Sequence, residues 1–207
     1  MVFLGIFAIT LFIMLLIAVS IYHISSISLT ALGSAALEFA LLFSVLEYLF
    51  LYKHMTRGEV TSSLGIGKAG LSLKNVGIGI LIFLVLLAIE IFVGVISSVT
   101  GANISTNVQL LLASEPLWFY VFTFTITPLC EEALFRGMMV PRIGIIVSAL
   151  LFGLSHSSYD STFGIDMLVA FIFGVIAGWA FKRTKSLYPS IIAHGLVNLL
   201  AVAAFLF

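Results

Sequence analysis

The chain has 207 residues, of which 62% are hydrophobic and only 9% are charged. An ordinary soluble domain carries roughly 25% charged residues, so this composition leaves too few polar side chains to cover a water-soluble fold. Nine Lys and Arg residues balance nine Asp and Glu residues, which gives no indication of nucleic-acid binding or of electrostatic docking on a membrane. The composition is typical of a protein whose solvent is the lipid bilayer.

Apolar residues are grouped in runs of about 20, the length at which a helix crosses a hydrocarbon core of ~30 Å. The runs lack the alternation of apolar and polar residues that marks a membrane β-barrel. We therefore predict an all-α fold, a polytopic membrane helix bundle of about seven transmembrane helices with its catalytic core in the last four. The predicted spans are 2–22, 31–52, 75–99, 116–138, 142–157, 164–181 and 187–206.

The connections between these spans are short except for one at 53–74, which we interpret as a loop. The first span has no basic residue before it and no small-residue cleavage pattern behind it, so we interpret it as a retained helix. We divide the chain into 1–114, the amino-terminal helices and the loop, and 115–207, the catalytic helical core. The two parts form one integral membrane unit.

The basic residues fall in alternate connections: after the second span, after the fourth and between the sixth and seventh. They are Lys53, Arg57, Lys68, Lys74, Arg136, Arg142, Lys182, Arg183 and Lys185. The positive-inside rule places these three connections in the cytoplasm. We thus predict a multi-pass protein of the cell membrane with its amino terminus in the cytoplasm and its carboxyl terminus outside.

Polar and ionisable residues recur inside the last four predicted spans. An ionised side chain costs about 2.5–3.5 kcal/mol or more at mid-bilayer, so such residues are expected to face one another or a water-filled cavity. The set is Glu131, Glu132, Arg136, His156, His194 and Asn198. This concentration favours a functional site. Isolated acids in the earlier spans are interpreted as structural, and these are Glu38, Glu47 and Glu90.

Helical spacing predicts which of these residues are partners. Glu132 and Arg136 are four apart with the acid first, which is the favourable order for an ion pair along a helix. Glu131 is rotated by about 100° from Glu132 and therefore points elsewhere. We expect Arg136 to neutralise Glu132.

The same spacing occurs on two further helices. His194 and Asn198 are four apart and project from one helix face, as do Phe152 and His156. Three helices thus each present one polar face. The single Cys130 excludes an intramolecular disulfide and is expected to be a small buried side chain.

Three motifs together resemble the CPBP family (CAAX protease and bacteriocin-processing, or Abi), which includes prenyl-CAAX endopeptidases of the Rce type. Residues 131–137 (EEALFRG) resemble its EExxxR signature, residues 152–156 (FGLSH) its FxxxH motif and residues 194–198 (HGLVN) its HxxxN motif. The resemblance covers about residues 115–203. It implies an intramembrane endopeptidase that hydrolyses a peptide bond near the membrane surface, with a prenylated CAAX-type carboxyl terminus as a candidate substrate.

The resemblance also implies a role for each motif residue. Glu131 and His156 would hold and activate a water molecule, and His194 and Asn198 would donate hydrogen bonds to the oxyanion. The supporting residues would be Glu132, Arg136 and Phe152. This mechanism uses no cofactor. The implied partners are the lipid bilayer and a membrane-associated peptide or lipidated protein as substrate, without nucleic acid; the sequence does not predict an oligomeric state.

Other functions stay open at this stage. Glu131, His156 and His194 have the ligand types and number of a catalytic zinc site with an open water position, so the same protease could depend on zinc. Buried Glu and His residues also serve as proton relays in transporters, although the chain lacks the internal repeat that many transporters show. A non-enzymatic membrane binding protein is the third reading, but it gives no reason for the whole set.

Helical rise gives an expected depth for each residue. Counted from the cytoplasmic ends of the predicted spans, Glu131 and His194 lie about 11–12 Å deep and His156 about 20 Å deep. We therefore expect the catalytic cavity to lie nearer the cytoplasmic face. A lipid-anchored substrate would then enter from the cytoplasm or the inner leaflet.

Overall fold

The computed structural model describes residues 2–25, 27–101, 112–113, 115–157 and 164–207, and its regular secondary structure in these ranges is helical throughout. The all-α, polytopic fold class is confirmed. The described helices are α1 (Val2–Ser25), α2 (Leu29–Glu47, continued by the π-helical turn Tyr48–Tyr52), α3 (Arg57–Leu64), α4 (Leu73–Thr100), α5 (Leu117–Glu132, continued by the π-helical segment Ala133–Met139), α6 (Val140–Ser155), α7 (Ile165–Thr184) and α8 (Tyr188–Leu206).

Six helical runs in the described residues are long and apolar enough to cross a membrane. Within their most apolar windows, α1 buries only 11% of its residues in the bundle and α4 only 17%. The large aliphatic side chains on their outer faces remain exposed, as Leu16 and Leu81 show. Exposed apolar surface of this extent is stable only against lipid, because water would not solvate it favourably.

The run Leu117–Ser155 is 39 residues long, but it is a helical hairpin and not one straight helix. The Ser148 hydroxyl donates a hydrogen bond of 2.6 Å to the Phe135 carbonyl oxygen, although thirteen residues of straight helix would separate them by about 20 Å. The chain reverses at Gly144, whose φ of 84° and ψ of 171° are non-helical and suit a residue without a Cβ. The predicted fourth and fifth spans are the two arms of this hairpin.

The first arm is longer than predicted. The span predicted to end at 138 continues through the π-helical segment Ala133–Met139 and the first turn of α6 to the reversal at Gly144. The Phe135 carbonyl in this segment accepts from the Val140 N–H and also from the Ser148 hydroxyl of the second arm. The second arm, 145–155, is about 16 Å long, roughly half of the hydrocarbon thickness, so it ends inside the bundle.

The three basic connections meet at one end of the bundle, which we call the basic end. Lys53 and Arg142 both lie over the ring of Tyr48, at 5.9 and 5.2 Å from its centroid. The Ser186 hydroxyl, in the connection between α7 and α8, donates a hydrogen bond of 3.0 Å to the Gly70 carbonyl. The three basic connections are thus grouped at one end of the bundle, whereas Arg136 is buried in the core.

The connection 53–74 is not the simple loop that was predicted, because it contains α3. The helix begins with a capping box, in which Thr56 Oγ1 accepts from the Glu59 N–H and the Glu59 carboxylate accepts from the Thr56 N–H at 2.7 Å. These hydrogen bonds favour the charged form and lower the pKa of Glu59. Val60 and Leu64 are buried in the main apolar core. Hence α3 is part of the packed structure.

The segment after α3 covers the connection between α7 and α8. The Ser186 hydroxyl donates to the Gly70 carbonyl of this segment, and the Tyr188 hydroxyl donates to its Ile66 carbonyl at 2.9 Å. Leu187, which lies between these two residues, is fully buried. The amino-terminal end of α8 is therefore sealed beneath this segment at the basic end.

We predict that Gly65→Ala destabilises the basic end. Gly65 has a φ of 63°, and a Cβ there would lie 2.1 Å from the Lys185 carbonyl oxygen, so backbone strain and overpacking together should cost about 2–4 kcal/mol. Gly67→Ala is the matched control, because a Cβ at Gly67 meets nothing within 4 Å. Melting temperatures of both variants in detergent would test this, and equal melting would contradict the packed role of the segment.

Candidate active site

A cavity of about 540 Å³ lies within the bundle and is lined by residues of α2 and α4 to α8. Its inner end holds Glu131 of α5, His156 at the end of α6 and His194 of α8. One side-chain nitrogen or oxygen atom from each of these three residues lies within 4.8 Å of the other two. Asn198 lines the same cavity. The structure thus brings the four residues assigned by the sequence motifs to one place, from three separate helices.

The predicted ion pair between Glu132 and Arg136 is confirmed, and it is buried. Arg136 Nε lies 3.0 Å from Glu132 Oε2, with side chains 1% and 0% exposed, at ion-pair distance but without the alignment of a hydrogen bond. The guanidinium carbon lies 4.0 Å from the ring centroid of Phe152 and 4.9 Å from that of Phe173. The two aromatic faces and the carboxylate together stabilise a cation that water does not reach.

Glu132 has a second partner that the sequence analysis did not identify. Its Oε1 atom lies 3.1 Å from His194 Nδ1, while His194 Nε2 lies 3.8 Å from Glu131 Oε2. Glu131 and Glu132 do point in different directions, as predicted, but they face the two nitrogens of one imidazole. Because a carboxylate only accepts, His194 Nδ1 carries a proton, and the contact fixes the ring orientation.

His156 is oriented by its own helix. Its Nδ1 atom lies 2.9 Å from the Phe152 carbonyl oxygen, so Nδ1 donates and the lone pair is left on Nε2. The Phe152 ring lies 4.5 Å from the His156 ring and 5.8 Å from the His194 ring, measured between centroids. Phe152 therefore packs against both histidines as well as Arg136, which gives a physical basis for its predicted supporting role.

Asn198 is tied to α5 where that helix contains a proline. Pro128 has no N–H to offer the Phe124 carbonyl one turn earlier, and α8 approaches closely at this point, since a Cβ on Gly195 would lie 2.8 Å from that oxygen. Asn198 Nδ2 donates to the Thr123 carbonyl at 2.9 Å. This hydrogen bond of Asn198 thus connects α8 to α5.

Glu38 of α2, interpreted from the sequence as structural, belongs to the cavity wall. It is buried, and its carboxyl group is within hydrogen-bonding reach of Glu131. Two carboxyl groups in contact need a proton or a cation between them. Glu47 differs, because it accepts a hydrogen bond of 2.7 Å from Thr10 Oγ1 and joins α1 to α2. No helical spacing in the sequence distinguishes these two acids.

The depth of the site differs from the expectation. Glu131 is near the middle of its helical run, about 21 Å from Leu117 and about 20 Å from the reversal at Gly144. His156 lies about 18 Å from the same reversal along the second arm, so the two depths agree. The depth expected for Glu131 was wrong because the span was ended at residue 138. The expectation of a reaction centre near the membrane surface stays a prediction.

The cavity leads away from the basic end. Its exposed lining residues include Thr30 in the first turn of α2 and Leu200 and Ala204 near the end of α8, and these helix ends lie opposite the basic end. At the basic end itself, α3 and the segment after it cover the start of α8. Substrate entry from the basic end stays a prediction, and the exposed lining of the cavity favours entry from the opposite end.

The fold and the site define a polytopic membrane protein with a buried Glu/His centre, a type of site suited to proton transfer in hydrolysis. Residues 113–200 match the family described as type II CAAX prenyl endopeptidase Rce1-like, and this match supports a CPBP/Rce1-type assignment. The resemblance inferred from the motifs is confirmed. The match indicates a CAAX-type intramembrane protease in general. No match was found among curated proteins or solved structures.

We predict that Arg136→Ala lowers stability by about 3–5 kcal/mol, because it leaves the buried Glu132 carboxylate without a counter-charge. The double variant Glu132→Gln/Arg136→Gln should recover part of that loss but not activity, since His194 loses its carboxylate partner. Lys182→Ala, at an exposed position of the basic end, is the control and should melt like the parent. Identical melting of the Arg136→Ala and double variants would contradict the pair.

A second prediction concerns the side of the membrane on which the cavity opens. In a Cys130→Ser background, Thr30→Cys and Ala204→Cys mark the cavity mouth and Lys182→Cys marks the basic end. If the basic end is cytoplasmic, a membrane-impermeant thiol reagent should label the two mouth positions on intact cells and Lys182→Cys only in inverted vesicles. Labelling of both ends from one side would contradict the geometry, and the reverse pattern would contradict the orientation.

Proposed function

We propose that the chain is an intramembrane endopeptidase that cleaves a peptide bond at the centre formed by Glu131, His156 and His194. The observation that carries this proposal is the meeting of the three side chains within 4.8 Å at the inner end of a cavity in a bundle of apolar helices. The lining also includes Leu86, Phe119 and Phe122. This apolar wall is suited to a lipid-modified peptide, and a prenylated CAAX-type carboxyl terminus is the proposed substrate.

Glu131 acts as general base together with His156. A water molecule held between the Glu131 carboxylate and His156 Nε2 gives a proton to Glu131 while its oxygen attacks the peptide carbonyl carbon. A C–O bond forms, and the carbonyl electron pair moves onto oxygen. The proton then passes to the peptide nitrogen as the C–N bond breaks, which yields a new carboxyl group and a new amine.

His194 and Asn198 stabilise the oxyanion in this scheme. For His194 to donate from Nε2 while Nδ1 donates to Glu132, the ring must carry both protons. Asn198 contributes the amide hydrogen that is not bonded to Thr123. Glu132 therefore positions His194 in addition to neutralising Arg136.

A zinc-dependent form of the same protease is supported by one observation. Glu131, His156 and His194 place their ligand atoms within 4.8 Å of one another. In both histidines Nδ1 donates to a protein oxygen, as the nitrogen that does not bind the metal usually does in metal-ligating histidines. Tetrahedral zinc would need these atoms about 3.3 Å apart, so the three side chains would move closer. A bound zinc would supply Lewis acidity and an acidified water.

We predict that Glu131→Gln, His156→Ala and His194→Ala each abolish peptide cleavage while the protein stays folded, because each acts at the reaction centre. Asn198→Ala should lose about 10²-fold, as expected for one oxyanion donor. Glu47→Gln is the control, since this acid lies on α2 outside the cavity lining. The assay is cleavage of prenylated and unprenylated peptides by purified protein, with melting temperatures as the folding check.

Two outcomes discriminate within this proposal. Full activity of Glu131→Gln would end it. Stoichiometric zinc in the purified protein, lost together with activity on chelation and absent from His194→Ala, would replace the metal-free mechanism by the zinc-dependent one.

A further inference from the structure

Two of the three threonines in the second half of α5 have hydroxyl groups that are satisfied within the helix. Thr123 Oγ1 donates to the Phe119 carbonyl at 2.8 Å, and Thr125 Oγ1 donates to the Val121 carbonyl at 2.6 Å, each one turn earlier. This is the usual arrangement in a membrane-spanning helix, because a hydroxyl without a partner is unfavourable in hydrocarbon. Thr127 departs from it.

The Thr127 side chain is half-buried and lines the cavity, and its hydroxyl has no hydrogen-bond partner among the described residues. Its usual acceptor would be the Thr123 carbonyl. That oxygen already accepts the helical N–H of Thr127 and the Nδ2 hydrogen of Asn198, the latter at 2.9 Å, and a carbonyl oxygen has two lone pairs. The hydroxyl of Thr127 therefore keeps its capacity to donate and to accept.

Thr127 lies between the reaction centre and the mouth of the cavity. Glu131 follows it by four residues, so the two side chains share one face of α5 about 6 Å apart along the helix axis. Because α5 begins at the end opposite the basic end, Thr127 is on the mouth side of Glu131. The cavity lining nearer the mouth on the same helix is aromatic, with Phe119 and Phe122.

A peptide that reaches the reaction centre brings its own backbone N–H and C=O groups into this cavity. Aromatic walls cannot pair with these groups, and leaving them unpaired is unfavourable. An extended peptide rises about 3.3 Å per residue, so the level of Thr127 corresponds to about two residues from a bond held beside Glu131.

We propose that the Thr127 hydroxyl binds the substrate backbone about two residues from the scissile bond, on the side of the peptide that faces the mouth. This inference rests on the proposed endopeptidase function and adds a substrate-binding residue to it. Thr127 contacts the peptide away from the reacting atoms, so it contributes to binding of the ground state and the transition state alike.

The first test is steady-state cleavage of the prenylated peptide by purified variants. Thr127→Val removes the hydroxyl at nearly constant volume and should raise KM by about three- to tenfold, the effect of one net hydrogen bond, with kcat within about twofold of the parent. Thr127→Ser retains the hydroxyl and should restore the parent KM.

Thr125→Val is the matched control. It removes a hydroxyl from the same helix, but Thr125 is exposed on the outside of the bundle and bonded to its own helix. Its KM and kcat should equal those of the parent. Melting temperatures in detergent check the folding of all variants.

The second test locates the contact on the peptide and does not need catalysis. Fluorescent versions of the peptide, each with one backbone amide replaced by an ester, are bound to Glu131→Gln and followed by fluorescence anisotropy. The ester about two residues from the scissile bond, on one side only, should weaken binding by about three- to tenfold. Adding Thr127→Val should remove that difference, because the two changes delete the same hydrogen bond.

The outcomes separate this inference from the endopeptidase function. Cleavage by Thr127→Val with the parent KM, or an ester profile that Thr127→Val leaves unchanged, would overturn the inference while the endopeptidase function stands. Absence of cleavage by the parent, together with an ester effect that depends on Thr127, would end the endopeptidase function and retain Thr127 as a peptide-binding residue.

Discussion

The Arg136 guanidinium lies where water does not reach it, and much of the site follows from how its charge is compensated. The nearest acid along the helix is Glu132, and the second oxygen of that carboxylate binds His194 on α8. The rings that cover the guanidinium come from α6 and α7. One buried cation thus links four helices, and loss of either charge would leave the other desolvated and unpaired. The same contacts that stabilise the bundle also set the orientation of His194.

Because lipid surrounds the bundle, the placement of charged side chains is restricted. Apart from the buried pair of Glu132 and Arg136, most charged side chains lie either at the basic end or along the cavity. At the basic end, α3 and the segment after it cover the start of α8, whereas the acidic cavity leads to the opposite end. Membrane orientation and substrate access are therefore coupled, because the compartment that contains the basic end, predicted to be the cytoplasm by the positive-inside rule, also determines which compartment the cavity faces.

Run length predicted the helical passes well, because the thickness of the bilayer fixes how many apolar residues a pass requires. The ion pair between Glu132 and Arg136 was also predictable, since it is a local contact on one helix. The contact between Glu132 and His194 was not, because it joins residues 62 positions apart. The depth of Glu131 was underestimated because its span was predicted to end at residue 138. The helical run in fact continues through the π-helical segment to Gly144.

The position of Glu38 and Glu90 bears on what the first half of the chain contributes. The family match begins at residue 113, yet α2 and α4 supply these two acids to the cavity wall, and Glu38 contacts the carboxyl group of Glu131. The division into 1–114 and 115–207 therefore describes the sequence and not the cavity, which crosses it. If the matched region supplies the reaction centre, the amino-terminal helices complete the wall that a substrate meets on its way there, and differences in these helices would change which peptide is accepted.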